Sequence, residues 1–263
     1  MEPSVLLIDA FNLTRRMYEG MPDNPERMAG LLTLVVRTVE RECQRHSISH
    51  CAVVFDSHEP TWRYRASAAY KANRKPTPPE LLAAVPALRS ALENAGISTL
   101  LVSGQEADDV IASVATGLRT HIARIIVLST DKAFLSLLPL GIAVFNHFEA
   151  QFQTPETVQE KYGVRAEQLV DYWALAGDTS NNIKGVPGVG RKTAVRLLQA
   201  FGTLDAMLGT DMAADLSDKS LQSALSRVRA HQDEALDARQ LTGLITSLEL
   251  GLNLKSLRLQ VIQ

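Results

Sequence analysis

The sequence predicts an α/β protein with a parallel sheet in its first part and a smaller helical subdomain behind it. Three observations predict this. Five short apolar runs are continuous rather than alternating, as in strands covered on both faces. The segments between them repeat apolar residues with a helical period. From about Thr154 the strand signal fades, and clusters of Gly and Asn separate short helical pieces.

The strand-like runs are residues 4–8, 51–55, 98–102, 125–128 and 142–145. Helical periodicity is clearest over 31–39 and 81–92 in the first part, and over 155–162, 166–176 and 192–201 in the second. The tail carries Leu252, Leu254, Leu257, Leu259 and Val261, a partial alternation that slips at Ser256 and allows a last strand returning to the core. The domains expected are therefore a core at 1–160, a helical subdomain at 161–250 and a tail at 251–263.

The chain has 263 residues with 27 basic against 29 acidic, a net charge of -2, which excludes a uniformly basic nucleic-acid coat and an acidic tail. Any polyanion must meet local patches. With 46% apolar and 21% charged residues the composition is that of a globular protein, and no run approaches the ~18 apolar residues of a membrane span. Met1, Glu2 and Pro3 lead directly into a short strand-like run, without the basic start and longer apolar stretch of a secretory signal, so a cytoplasmic location is expected. Cys43 and Cys51 form neither a CxxC pair nor a His-rich metal spacing, which argues for a reducing compartment and against structural zinc.

Ligands of an open parallel sheet gather outside the carboxyl ends of its strands, and here those ends are acidic. Asp9 closes the first run, Asp56 follows the second, and Asp131 comes shortly after the fourth. Glu106, Asp108 and Asp109 follow the third run and open a helix, and Asp178 joins from the helical part. Taken singly, the 106–109 carboxylates read as helix-start chemistry, and Asp9 or Asp56 as a turn residue. Their convergence points to a site. Unpaired like charges about 4 Å apart repel by ~1 kcal/mol in water and ~4 kcal/mol at a protein surface, so such an edge needs cations. Oxygen donors without His or Cys suit magnesium or manganese, whose common use in such a site is phosphodiester hydrolysis. A dehalogenase-type phosphatase also places Asp after its first strand, but it needs a second Asp two residues on, which Asp9-Ala10-Phe11 lacks.

Two basic segments offer a polyanion contact. Residues 57–80 hold Arg63, Arg65, Lys71, Arg74 and Lys75 against only Glu59 and Glu80, interleaved with Trp62, Tyr64 and Tyr70. Cations among aromatic faces suit phosphates and unstacked bases. Composition alone equally fits a solvated helix face, and the position directly after Asp56 favours function. The second segment, 183–193, spaces Gly185 and Gly190 like a P-loop, but Arg191 intrudes before Lys192-Thr193 and no strand precedes it. It reads better as a helix-hairpin-helix. There the backbone of Gly188, Val189 and Gly190 and the helix start at Arg191, Lys192 and Thr193 hold a DNA phosphate without reading sequence.

The chain also resembles the bacterial and phage 5'-nuclease family over roughly residues 4–205. The resemblance rests on Leu7-Ile8-Asp9 with Arg16, Val54-Phe55-Asp56, Arg63 followed by Tyr70-Lys71-Ala72-Asn73-Arg74, Glu106-Ala107-Asp108-Asp109, Ser129-Thr130-Asp131-Lys132, and Gly177-Asp178 before Pro187-Gly188-Val189-Gly190. Residues 171–177 are most similar to the exonuclease IX branch. The resemblance implies a PIN-like nuclease core, a helical arch at about 57–80, and a helix-three-turn-helix subdomain. The implied activity is that of a flap endonuclease or 5' to 3' exonuclease acting as a monomer on DNA with 5' flaps or ends, with no membrane partner.

By this resemblance Asp9, Asp56, Glu106 and Asp108 match a first metal site, and Asp109, Asp131 and Asp178 match what remains of a second. Lys71 and Arg74 would steady the scissile phosphate, and Arg16 and Arg63 would contact other phosphates. A potassium ion is implied on the backbone carbonyls of Leu175, Ala176, Lys184, Val186 and Val189. Two departures touch the second metal: Ala133 stands where the family has Asp, and Asn181 replaces another carboxylate. One Mg2+ or Mn2+ is thus expected directly on protein, anchored on Asp108, with a second held through water. The competing readings are a branched-DNA-binding protein with a decayed site and a PIN-type ribonuclease; the hairpin after Gly185 favours duplex DNA over the latter.

Overall fold

The computed structural model describes residues 2–209 and 218–260. Six strands, β1 (Ser4–Asp9), β2 (His50–Phe55), β3 (Ser98–Leu101), β4 (Arg124–Leu128), β5 (Ala143–Asn146) and β6 (Gln151–Gln153), form one sheet in the order β3-β2-β1-β4-β5-β6. The pairs β1–β2, β1–β4, β2–β3 and β4–β5 are parallel, so the α/β reading holds. The order reverses at β1, and the register sets Ile8 beside both Val53 and Leu128, so the strand ends carrying Asp9, Asp56 and Asp131 open on one edge. Every residue of β1 is buried, as its unbroken apolar run requires.

The helices in chain order are α1 (Ala10–Gly20), α2 (Arg27–Arg45), α3 (Trp62–Ala66), α4 (Pro79–Ala83), α5 (Val85–Asn94), α6 (Ala107–Leu118), α7 (Pro155–Tyr162), α8 (Leu169–Ala176), α9 (Arg191–Phe201), α10 (Leu204–Gly209), α11 (Lys219–Ala230) and α12 (Gln232–Thr242). The chain forms two compact units. One comprises Met1–Thr61, Lys75–Phe152 and Leu244–Gln263, and the other Trp62–Arg74 and Gln153–Gly243.

In the first unit Leu31, Val35 and Val39 of α2 and Leu88 and Leu92 of α5 share a core with Leu6, Ile8, Val53 and Phe55. The helix expected over 81–92 is two helices. They meet at Ala84, because Pro86 has no N–H to give and is tolerated only in a first turn. The tail does return to this unit, but as a 3-10 turn, Leu254–Leu257, capped by Asn253, and not as a strand. Arg258 makes one isolated bridge to His50, and the Leu259 amide donates to the Ser49 carbonyl at 3.1 Å. Val261 lies outside the described residues. Strand β6 has exposed or half-buried residues only, so it carries no apolar run to announce it.

In the second unit α8 packs between α9 and α12, burying Trp173, Leu175, Leu197, Leu198, Ala235 and Ala238. Gln168 is buried there and donates through Nε2 to the Leu198 and Gly202 carbonyls at the end of α9, at 3.1 and 2.8 Å. The segment Trp62–Arg74 belongs to this unit and contains α3 followed by turns.

Arg63 corrects an expectation. It is 2% exposed, and its guanidinium donates through Nε to the Leu241 carbonyl at 3.0 Å and through Nη2 to the Gly243 carbonyl at 2.6 Å. It thereby satisfies carbonyls at the end of α12. Replacing it removes the donors and leaves part-buried acceptors behind. Arg63→Ala should lower stability by about 1–3 kcal/mol, read from the urea midpoint. A variant of unchanged stability that binds DNA less well would restore the phosphate role.

Candidate active site

In the first unit the end of β1 delivers Asp9 into a nearly closed site, 7% exposed. Asp9 caps α1, accepting the Asn12 amide on Oδ1 at 3.0 Å and the Ser129 hydroxyl on Oδ2 at 3.1 Å. Ser129 Oγ in turn accepts the Asp131 amide at 3.0 Å, and Asp131 accepts the Ala133 amide on Oδ1 at 2.9 Å. Asn12 reaches across to the same loop, taking the Thr130 amide on Oδ1 at 2.9 Å. The segments after β1 and β4 are thus laced together by small polar side chains.

A second lacing joins the loops after β2 and β3. The Ser57 amide donates to the Gln105 carbonyl at 3.2 Å, and the Gly104 amide to Ser57 Oγ at 2.9 Å. Asp56 takes the Ala107 amide on Oδ1 at 2.8 Å, at the positive end of α6. Glu106 is 2% exposed and accepts the Thr61 hydroxyl on Oε1 at 2.8 Å. Asp108 sits half-buried in the first turn of α6.

These contacts concentrate charge. Burial first, and then the neighbouring Asp56 and Asp131, raise the Asp9 carboxyl to about 7 against the lowering influence of the Asn12 amide and Ser129 hydroxyl. Among the described residues no three His, Cys, Asp or Glu side chains form a finished metal cage. The donor chemistry nevertheless fits a hard cation. Magnesium keeps most of its waters and needs only one or two carboxylates from a protein.

Two expected ligands are taken up by the fold. Asp109 is fully buried and accepts the Ile245 amide on Oδ1 at 2.9 Å, tying α6 to the segment that returns after α12. In the second unit Asp178 is 3% exposed. Its Oδ1 accepts the Ser180 amide at 2.9 Å and hydroxyl at 2.7 Å, and its Oδ2 accepts Asn181 Nδ2 at 2.8 Å. An ion on either carboxylate would share it with these donors or be reached through water.

The second unit also carries the hairpin. Gly177 (φ +80°) and Gly185 bring two backbone strands so close that a β-carbon on Gly185 would run into the Gly177 amide and the Leu175 carbonyl. The Val186 amide donates to the Leu175 carbonyl at 2.9 Å, and the Val189 amide to the Val186 carbonyl at 3.0 Å. Gly188 (φ +75°) and Gly190 are exposed, and Gly190 precedes the first turn of α9, where Arg191 and Lys192 are exposed and Thr193 is half-buried. Val189 keeps its side chain buried. A basic helix start is the kind of place where backbone N–H groups can hold a phosphate. Lys71 is half-buried with its ammonium 4.9 Å from the Tyr70 ring centre, and Arg74 is exposed. In the first unit Arg16 is exposed, its guanidinium carbon 4.3 Å from the Phe148 ring centre.

The residues that sequence reasoning left without a role are Asn12, Thr61, Ser129 and Thr130. The spacing of Asp9 and Asn12, an acceptor three residues ahead of an amide at a helix start, is the signal that could have found the first.

Comparison with known proteins agrees with this architecture. Residues 4–163 match the model of the 5'-3' exonuclease N-terminal resolvase-like domain, and residues 164–263 that of the 5'-3' exonuclease C-terminal SAM fold. Flap endonuclease Xni of Psychromonas ingrahamii is 36% identical over 259 residues, covering 97% of both chains. That of Aeromonas hydrophila is 38% identical over 260 residues, covering 97% of this chain and 96% of the relative. A bacteriophage T5 protein co-crystallised with metal ions superposes with a TM-score of 0.74 at 22% identity, over 92% of this chain and 90% of the other. The catalytic core of Rad2 in complex with DNA gives 0.56 at 13% identity, over 92% and 79%. At such identities the structural likeness is one of fold. With both parts matched in order and relatives at 36–38% identity over nearly their whole length, the chain belongs to the 5'-3' exonuclease family.

Proposed function

We propose that the protein is a structure-specific DNA 5'-nuclease that hydrolyses phosphodiesters at 5' flaps or ends with a divalent metal. The carrying observation is the buried carboxylate edge, where Asp9 is pushed to about 7 by burial and by Asp56 and Asp131. Once ionised, such a cluster is stabilised by positive charge. Asp9, Asp56, Glu106 and Asp108 would serve a first Mg2+ or Mn2+ ion, held directly on Asp108, the least enclosed of the α6 set. When bound, the ion polarises the phosphate and lowers the pKa of the attacking water. Asp109, Asp131 and Asp178 would serve a second ion held through water. Lys71 and Arg74 would offset charge on the phosphate, and Arg16 and the backbone of 188–193 would hold the DNA without reading its sequence. The carbonyls of Leu175, Ala176, Lys184, Val186 and Val189 would carry a potassium ion. The names of the relatives support the flap specificity. A branched-DNA-binding protein with a weakened site is the second reading, favoured by the commitment of Asp109 and Asp178 to the fold.

Metal-dependent cleavage of a purified 5'-flap substrate should occur and separate the two readings. Lys71→Ala should slow single-turnover cleavage about a hundredfold with little change in DNA binding. A change in the dissociation constant alone would make Lys71 a binding residue. Duplex binding should be tighter in potassium than in lithium at equal ionic strength, and equal affinities would reject the carbonyl site.

Asp9 gives a test that needs no DNA. Its folded pKa of about 7 lies above the ordinary 3.8, so its contribution to stability is complete below 3.8 and disappears as pH rises through 7. Without metal, this contribution should fall across that window by at most about 4 kcal/mol. Asp9→Asn should flatten the decline relative to wild type. Magnesium should raise the melting temperature of wild type most above neutral pH, and should do so less for Asp9→Asn. If the variant and wild type share one pH profile, Asp9 does not carry the strained charge.

A further inference from the structure

The turn that carries Lys71 and Arg74 is fastened to the 178–182 loop within the second unit. Asn73 Nδ2 donates to the Thr179 carbonyl and Asn182 Nδ2 to the Ala69 carbonyl, each at 2.8 Å. The Lys71 amide donates to the Asn181 carbonyl at 2.8 Å. Arg74 donates through Nε to the Ser180 carbonyl at 3.2 Å and through Nη2 to Asn181 Oδ1 at 2.6 Å. Lys71 and Asn182 both have left-handed backbone, φ 55° and 54°. Asn enters that region readily, whereas a lysine must be held there.

We propose that Asn73, Asn181 and Asn182 are positioning residues that latch the 69–74 turn and preset the two cations for a phosphate. The side-chain chemistry explains why all three are amides. Asn181 accepts from Arg74 while donating to Asp178 Oδ2, which no carboxylate can do. Asn73 and Asn182 each give an N–H to a carbonyl, where an aspartate would set acceptor against acceptor. A preset cation meets the charge that develops in the transition state without first losing its freedom of movement, so the latch acts on the rate of the reaction more than on affinity. The catalytic part of this inference rests on the nuclease reading above; the latch does not.

The test has two arms on the full chain. Limited trypsin digestion reads opening of the turn directly, at the bonds following Lys71 and Arg74. Asn73→Ala and Asn182→Ala, each at an exposed position, should each raise the cutting rate there several-fold, and the pair about tenfold or more, with the melting temperature nearly unchanged. Asn182→Asp should open the turn as Asn182→Ala does. Cutting rates equal to wild type would overturn the latch. In the second arm, single-turnover cleavage of flap DNA should fall about tenfold for the pair with the DNA dissociation constant unchanged, and that loss should vanish in a Lys71→Ala plus Arg74→Ala background. A loss that persists there would show that the asparagines act through something other than these cations. A chain that cleaves no DNA would overturn the nuclease reading, while the trypsin rates would still decide the latch.

Discussion

The first unit is organised around a carboxylate placed at the end of a strand that has no solvent-facing side. All of β1 is buried, and its register against β2 and β4 leaves Asp9 beside the two neighbouring strand ends. The sheet cannot relieve the resulting repulsion without giving up core packing of Leu6 and Ile8. The edge is therefore built from groups that tolerate negative charge: the Asn12 amide, the Ser129 hydroxyl, the start of α6 under Asp56 and the Thr61 hydroxyl on Glu106. These donors are neutral. They orient the carboxylates without cancelling their charge, and the charge left over is what a divalent cation would neutralise.

The second unit solves a different problem with different chemistry. Its hairpin depends on close backbone approach, so the essential residues are Gly177 and Gly185, where any β-carbon would collide with main chain. Its 69–74 turn depends on groups that donate and accept together, which is why asparagine recurs at 73, 181 and 182. Arg63 ends that segment's freedom from the other side by closing the carbonyls after α12.

What the sequence made legible follows from how each feature is encoded. Buried parallel strands write themselves as unbroken apolar runs, and the five that were read this way lie within one or two residues of β1 to β5. Strand β6 is edge-like and polar, and the break at Ala84 follows from Pro86, a local signal that the apolar period over 81–92 masks. The carboxylates were legible because sheet topology fixes where strand ends go. Arg63 was not, because a basic residue in a basic segment carries no mark of burial; only the carbonyls of Leu241 and Gly243, some 180 residues away, decide it. The asparagine latch shared that fate, since its partners lie 106 to 113 positions apart in sequence.

Asn181 shows what an amide does where a carboxylate would add charge. A carboxylate at that position would stand against Asp178, and both oxygens would need a cation between them. The amide removes that need, since its Nδ2 satisfies Asp178 Oδ2 and its Oδ1 satisfies Arg74. Asp178 then accepts hydrogen bonds from Ser180 and Asn181, which offset its charge within the loop. In the first unit Ala133 brings no carboxylate, and its backbone N–H, which any residue but proline would supply, rests on Asp131. The amide at 181 thus meets with hydrogen bonds internal to the chain a demand that a carboxylate would place on a cation, and the carboxylates around Asp9 are the place where such a demand persists.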